Sequence, residues 1–213
     1  MITAQLEELF ESVRNRAQSI ADTHRHLLTA DDHRMLALAF HRAESLAEYA
    51  LEEALDQVPD VKRAELIEQI EDERRHINVF AHWLGDPPDV PRPKAKKRPP
   101  VVWYSVLLAN EVAGFCQFHM LAGLLEDQGR REAVDAIAAD ECVHIARLVG
   151  WLQEFAATKT WGSVVQVTDA FRRRLEMRMQ QFLPRDELSA VRAEMAALID
   201  STLERALAAN SIR

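Results

Sequence analysis

The chain is organised around residues 101–125, which read VVWYSVLLANEVAGFCQFHMLAGLL. Glu111 is the one formally charged side chain in this stretch, and polar residues are sparse. A helix that is apolar on all sides is buried on all sides, and a buried carboxylate is costly unless a cation or a metal pairs with it. The sequence therefore predicts a central buried helix in which Glu111 has a positively charged partner.

The same stretch is long enough to cross a bilayer, but a membrane span is disfavoured. Asn110, Glu111, Gln117 and His119 are spread along it, and such side chains are expensive inside a membrane. The N-terminal residues form an amphipathic pattern without the apolar core of a signal peptide. The chain is therefore expected to have no membrane part and to be cytoplasmic.

Composition favours one helical domain over residues 1–213. The chain is 48% hydrophobic and has only six glycines, which suits helices better than a turn-rich β protein. A net charge of −8 offers no general attraction to nucleic acid, so a nucleic-acid partner is not expected. Cys116 and Cys142 both lie in helical patterns, so neither a disulfide framework nor a zinc site is predicted.

Apolar periodicity predicts an all-α four-helix bundle over residues 30–157. Residues 85–100 are predicted to be a long linker between bundle helices 2 and 3, because 86–100 contain six of the eight prolines. Such a linker can return the chain along the whole bundle. A short N-terminal helix over 3–21 precedes the bundle, and a C-terminal pair of helices is expected within 163–210. The predicted bundle and C-terminal helices are 30–56, 59–85, 101–125, 130–156, 164–183 and 186–209.

Two copies of Glu-x-x-His flank the central helix, Glu73 with His76 and Glu141 with His144. Residues three apart project from one face of a helix, so each pair can grip a metal ion. Glu44 precedes Glu73 by 29 residues and Glu111 precedes Glu141 by 30, which selects these two as the carboxylates that bridge or cap the ions. Carboxylates with imidazoles suit iron or manganese.

This pattern resembles the ferritin-like di-iron carboxylate superfamily, in which two helices each carry a Glu and two carry Glu-x-x-His. The resemblance covers about residues 30–156 and extends to the segment Asp72-Glu73-Arg74-Arg75-His76, which is similar to a motif of bacterial di-iron monooxygenases. It implies a ferritin-like bundle with a rubrerythrin-like ligand set and two iron ions, with Mn/Fe or two manganese ions as alternatives.

The resemblance also implies residues that support the ligands. Asp72 would accept a hydrogen bond from His144, and Asp140 from His76, since metal-bound histidines usually donate to a carboxylate. The alternative is that both aspartates are solvated charges on helix surfaces. His41 lies one turn from Glu44 and is a further candidate for a supporting or a surface position.

The function implied is that of a small stand-alone oxidase or oxygenase, which uses O₂ and a small, hydrophobic organic substrate. An apolar pocket is predicted from four residues, Phe40, Phe80, Gly114 and Phe115. A reductase or ferredoxin is expected as electron donor, and a homodimer is considered. The basic segment 92–98 could contact RNA or an acidic electron-transfer partner, or could be a solvated linker.

Two alternatives remain open at this stage. One is a ferritin-like protein that binds metal without turnover. The other is a rubrerythrin-like peroxidase, which is weakened because helix 101–125 has no second carboxylate and the chain has no Cys-x-x-Cys.

Overall fold

The protein is helical throughout the residues that its computed structural model describes, 2–94 and 97–209, and no strand occurs in these ranges. The predicted all-α class is confirmed, and the arrangement is compatible with a ferritin-like fold. Short 3₁₀ turns at Arg25–Leu27 and Asp186–Leu188 separate some of the helices. The α-helices are α1 Ala4–His24, α2 Ala30–Ala54, α3 Asp60–Leu84, α4 Pro100–Leu124, α5 Gln128–Gln153, α6 Trp161–Arg172, α7 Leu175–Phe182 and α8 Ser189–Ala208.

Helices α2 to α5 form the central bundle, and their side-chain contacts give its directions. Lys62 pairs with Glu154 and Asp72 with His144, so α3 and α5 run antiparallel. In contrast, Gln69 contacts Glu111 and Phe80 contacts Phe118, so α3 and α4 run parallel. A parallel neighbour requires the chain to travel back along the bundle before α4 begins.

Residues 85–99 make this crossover. Gly85 ends α3 with a positive φ of 79°, a conformation that glycine adopts without steric cost. The crossover lies against α2, where the Tyr49 hydroxyl donates to the Val90 carbonyl at 3.3 Å and Arg92 pairs with Glu52 at 2.8 Å. Two residues of the predicted basic segment, at 95 and 96, lie outside the described residues.

Helix α4 is the centre of the molecule. It contacts α1, α2, α5, α6 and α8, which explains why it is apolar on every side. By length and composition alone it could cross a membrane, and it is the one such helix among the described residues. However, 78% of its most apolar window is buried inside the protein, as expected for a core helix.

Of the helices outside the bundle, the N-terminal one is confirmed. It was predicted over 3–21, spans Ala4–His24 and buries a stripe from Leu6 to Ala21 against the core. The predicted C-terminal pair is wrong because residues 164–183 are not one helix. They are divided between α6 and α7 by a break at residues 173 and 174. Helix α6 packs mainly on α4, whereas α7 packs on α2 and α8 and contacts α4 through the side chains of Arg178 and Met179.

Candidate metal centre

Six predicted ligands from four helices meet in the middle of the bundle. Glu44 comes from α2, Glu111 from α4, and the two Glu-x-x-His pairs from α3 and α5. All six residues are buried, none more than 6% exposed. They form two groups whose ligand atoms lie within 4.8 Å of one another, so the two buried clusters could hold metal ions. We call them cluster A, with Glu44, His76 and Glu141, and cluster B, with Glu73, Glu111 and His144.

The motif glutamates lie between the two clusters. In cluster A, Nδ1 of His76 is 3.8 Å from Oε2 of Glu73 and 3.9 Å from Oε1 of Glu141. In cluster B, Nδ1 of His144 is 3.9 Å from Oε1 of Glu73 and 3.7 Å from Oε2 of Glu141. Each of these two glutamates therefore offers one oxygen to each histidine, as a bridging carboxylate would.

Glu44 and Glu111 each lie next to one histidine only, at opposite ends of the pair of clusters. Glu44 Oε2 is 3.2 Å from Nδ1 of His76, and Glu111 Oε2 is 3.4 Å from Nδ1 of His144. Of the two roles predicted for these residues, bridging or capping, the geometry corresponds to capping.

The structure adds a contact between the motifs to the predicted pairing within each motif. Since α3 and α5 run antiparallel, Asp72 is level with His144 and Asp140 with His76. Each motif glutamate therefore lies within 3.9 Å of both histidines, its own and that of the other motif. That each Glu-x-x-His pair grips its own ion stays a prediction.

The outer nitrogen of each histidine contacts an aspartate of the other motif. His76 Nε2 lies 3.1 Å from Oδ2 of Asp140, and His144 Nε2 lies 3.0 Å from Oδ2 of Asp72. Arg75, on the protein surface, makes ion pairs with both aspartates. When each Nε2–H donates outward, the Nδ1 lone pair points to the clusters, as a metal ligand requires.

The pKa values of these aspartates follow from the same contacts. The hydrogen bond from His76 lowers the pKa of Asp140. Burial tends to raise the pKa of Asp72, but its hydrogen bonds with His144 and Arg75 lower it overall. Both aspartates therefore stay ionised and remain acceptors for the histidines at neutral pH.

His41 is placed differently from the two aspartates. It is buried on α2, three residues before Glu44, and burial lowers its pKa. Among the described residues none forms a hydrogen bond with its ring, so the structure gives His41 no link to the ligands.

The carboxylates inside the clusters repel one another. Burial, together with the charge of Glu44, raises the pKa of Glu73 well above its usual value. Burial and Glu111 do the same to the pKa of Glu141. A cation placed between such carboxylates would relieve both the desolvation and the repulsion.

Three ligand atoms at and around His144 have no hydrogen-bond partners in the described part of the chain. Glu73 Oε1, Glu141 Oε2 and His144 Nδ1 are all buried and unpaired among the described residues. A buried polar atom left unpaired costs about 1–3 kcal/mol. Because Glu73 Oε1 and Glu141 Oε2 lie 3.9 and 3.7 Å from His144 Nδ1, a metal ion bound by His144 would satisfy all three atoms, and the residues present fit that ion.

One residue of the centre was not recognised from the sequence. Gln69 is fully buried on α3, and its Nε2 donates to Oε1 of Glu111 at 2.8 Å. The available signal was its position one turn before Glu73, beside Leu66 and Ile70 on the apolar face.

Three of the four predicted pocket residues, Phe40, Phe80 and Gly114, adjoin Phe118. The rings of Phe40 and Phe80 stack with centroids 5.3 Å apart, and both contact Phe118, at 4.8 and 6.0 Å. A Cβ added to Gly114 would lie 3.3 Å from Cε2 of Phe118 and 3.8 Å from Cδ of Glu141. Gly114 therefore lies between the carboxylate of Glu141 and this aromatic group.

Phe115 is not part of that wall. Its ring packs on Phe10 of α1 at 5.1 Å and on His119 at 4.6 Å. Successive residues of a helix point about 100° apart, so Phe115 faces α1 while Gly114 faces the clusters.

A surface groove of about 630 Å³ lies outside the bundle core, along α3 and the start of α5. Arg75 lines it together with Trp83 and Arg130. Arg75 forms ion pairs with Asp72 and Asp140, and these aspartates contact His144 and His76. The groove is therefore linked to the two histidines through Arg75.

Comparison of the chain with protein-family models, with curated proteins and with solved structures gives no match. The functional argument therefore depends on the geometry of the two clusters.

Proposed function

We propose that the protein is a di-metal oxidase or oxygenase that uses O₂ and a small hydrophobic organic substrate, with two iron ions as its cofactor. The observation that supports this best is the sharing of Glu73 and Glu141 between two buried Glu and His clusters. Two ferrous ions, when bound, would supply electrons for the reduction of O₂. Manganese in one or both positions remains compatible with the same ligands.

The chain's own residues would define the metal positions and exclude water. Glu44 with His76 and Glu111 with His144 close the two ends, and the four carboxylates balance the charge of two divalent ions. The aspartates hold the histidine rings in one orientation. In metal-dependent redox chemistry the protein's part is to orient the ligands and to exclude water, and these residues would do both.

The aromatic group of Phe40, Phe80 and Phe118 supports an organic substrate that is hydrophobic. Insertion of one oxygen atom from O₂, with the second leaving as water, consumes two electrons and two protons from a donor. An external electron donor, a reductase or a ferredoxin, is therefore part of the proposal.

A second candidate is metal binding without turnover, and one observation favours it. Phe40, Phe80 and Phe118 are at most 1% exposed and pack on one another. In this arrangement the rings occupy the volume in which an organic substrate would have to fit.

The first experiment measures metal content and O₂ consumption together. Protein from iron-supplemented cells should contain about two iron ions per chain, and the double variant His76→Ala/His144→Ala should contain none. Substrate-dependent O₂ consumption, with a chemical reductant, should be lost in Glu111→Ala and kept in Glu71→Ala, an exposed control on α3. A wild-type protein without metal would overturn both candidates, and bound metal without substrate-dependent O₂ use would favour the second.

Gly114→Ala tests where the substrate binds. The added methyl would press on Phe118 and approach Glu141, and overpacking a buried site costs roughly 1–3 kcal/mol. We expect metal to be retained and substrate-dependent O₂ consumption to fall about tenfold. The control is Gly150→Ala, where an added Cβ meets no atom within 4 Å. Equal activity in both variants would place the substrate elsewhere.

A further inference from the structure

The two clusters are not equivalent, although α2 and α3 contribute the same types of ligand as α4 and α5. Glu111, at the end of cluster B, has one oxygen facing His144 at 3.4 Å and the other bound by the amide of Gln69 at 2.8 Å. Glu44, at the end of cluster A, faces His76 at 3.2 Å. No side-chain amide of a described residue donates to Glu44.

The sequence explains this difference. Gln69 precedes Glu73 by four residues on α3, and the residue four before Glu141 on α5 is Ile137. Both positions are buried, Gln69 completely and Ile137 to within 2%. One half of the centre therefore has a hydrogen-bond donor one turn before its bridging glutamate, where the other half has a hydrocarbon.

Gln69 is not explained by packing. Its amide nitrogen is used by Glu111, but its carbonyl oxygen is buried and has no partner among the described residues. A buried acceptor without a partner is unfavourable, so an apolar side chain of similar length would suit the core better. What Gln69 provides is the hydrogen bond to a carboxylate of the centre.

This hydrogen bond constrains how Glu111 can bind a metal. With Oε1 held by the amide and Oε2 directed to His144, the carboxylate has a fixed orientation, in which Glu111 would present Oε2 to the metal. Cluster B also contains the unpaired atoms of Glu73 and His144, and the unpaired Oε2 of Glu141 lies 3.7 Å from Nδ1 of His144. A pre-oriented carboxylate facing unpaired ligand atoms favours tight binding, because fewer side chains must be ordered or desolvated when the ion arrives.

We propose that Gln69 is a positioning residue that holds Glu111 in one-oxygen ligation and thereby makes cluster B the tighter of two unequal metal positions. The proposal rests on the proposed function only in requiring that the centre binds metal. It does not depend on the substrate or on O₂.

Titration of the metal-free protein with Co²⁺, followed by its visible absorption bands and by calorimetry, tests the proposal. Wild-type protein should bind two Co²⁺ ions with different affinities. In Gln69→Met the tighter step should weaken about 10–100-fold, the usual effect of removing a residue that supports a metal ligand, and its absorption bands should change. The weaker step should stay the same. Ile137→Met introduces the same side chain at the corresponding position of α5 and should alter neither step.

Double variants show through which ligand Gln69 acts. In the Glu111→Ala background, Gln69→Met should cause no further loss of affinity. In the Glu44→Ala background it should cause the full loss. Circular dichroism and thermal unfolding of each metal-free variant would verify that the helices are retained.

Three outcomes contradict the proposal in different ways. Two bound ions with affinities unchanged by Gln69→Met would refute the role of Gln69 and leave the metal centre intact. Equal weakening of both steps, with a lower unfolding temperature, would show a structural role only. Absence of Co²⁺ binding by folded wild-type protein would refute the metal centre itself.

Discussion

At the scale of single residues, the two histidines use both of their ring nitrogens. The inner nitrogen of each faces carboxylates of the clusters, and the outer nitrogen contacts Asp72 or Asp140. Because each aspartate belongs to the opposite motif, His76 and His144 are each oriented by a residue from another helix. The orientation of the ligands therefore depends on the contact between α3 and α5 and not on either helix alone.

Replacing these aspartates should weaken metal binding without unfolding the protein. In Asp72→Asn and Asp140→Asn the acceptor for the histidine N–H becomes a neutral amide, so the ring is held less firmly and the imidazole is less basic. We expect the affinity for metal to fall about 10–100-fold. Competition with a chelator of known affinity measures the change.

The matched control for that measurement is Asp135→Asn on the exposed surface of α5. It removes one negative charge from the same helix and should leave the affinity unchanged. An equal loss in all three variants would mean that overall charge, and not histidine orientation, controls the affinity.

At the scale of elements, α4 depends on close contact with α1. A Cβ added to Gly123 would lie 2.8 Å from Cβ of Ala21 and 2.9 Å from Oε1 of Gln18. These distances are too short for non-bonded atoms, so the lack of a side chain at Gly123 allows the two helices to approach. Arg25 also donates to the Gly123 carbonyl at 2.7 Å, which ties the end of α1 to the end of α4.

Gly123→Ala should therefore destabilise the protein, although alanine is the better helix former. Overpacking of this contact is expected to lower the free energy of unfolding by roughly 1–3 kcal/mol. Gly150→Ala on α5 is the control, because its Cβ meets no atom within 4 Å, and it should stabilise by roughly 0.5–1 kcal/mol. Urea unfolding measures both. A stabilised Gly123→Ala would show that α1 can move away without cost.

At the scale of the whole molecule, the N-terminal and C-terminal helices bury the outer side of α4. This burial includes His119, which is 6% exposed and whose Nε2 has no partner among the described residues. Burial, with a further contribution from the charge of Arg14, lowers the pKa of His119 to about 4. His119 is therefore buried in its neutral form.

The stability of the whole molecule should consequently depend on pH through His119. Its pKa in the unfolded chain is about 6.5, so the unfolded state takes up the proton first as the pH falls. Stability is then lost between about pH 6.5 and pH 4. Relative to His119→Met, the wild-type free energy of unfolding should decrease by roughly 1–2 kcal/mol from pH 7 to pH 5.

Urea unfolding of both proteins at several pH values measures this difference. His26→Gln provides the control, since His26 is exposed and its loss should not remove the pH dependence. A constant difference between wild type and His119→Met across this range would show that His119 is accessible to protons in the folded state.

The helices of the bundle, the crossover and the six Glu and His residues that meet in the two clusters could be predicted from the amino-acid sequence. These follow from local rules: the 3.6-residue periodicity, the prolines between 86 and 100, and the three-residue spacing of Glu and His. Glu111 could be singled out because a carboxylate within an apolar helix needs a partner. None of these inferences requires knowledge of how one helix is placed against another.

Which side chains contact one another across helices could be seen only in the folded structure. The sharing of Glu73 and Glu141 between the clusters depends on the antiparallel register of α3 and α5. The hydrogen bond from Gln69 depends on the parallel packing of α3 and α4, and the direction of Phe115 depends on α1. The register between two helices, and the neighbour that each side chain faces, are set by the packing of many side chains distant in sequence. The periodicity within one helix cannot predict them.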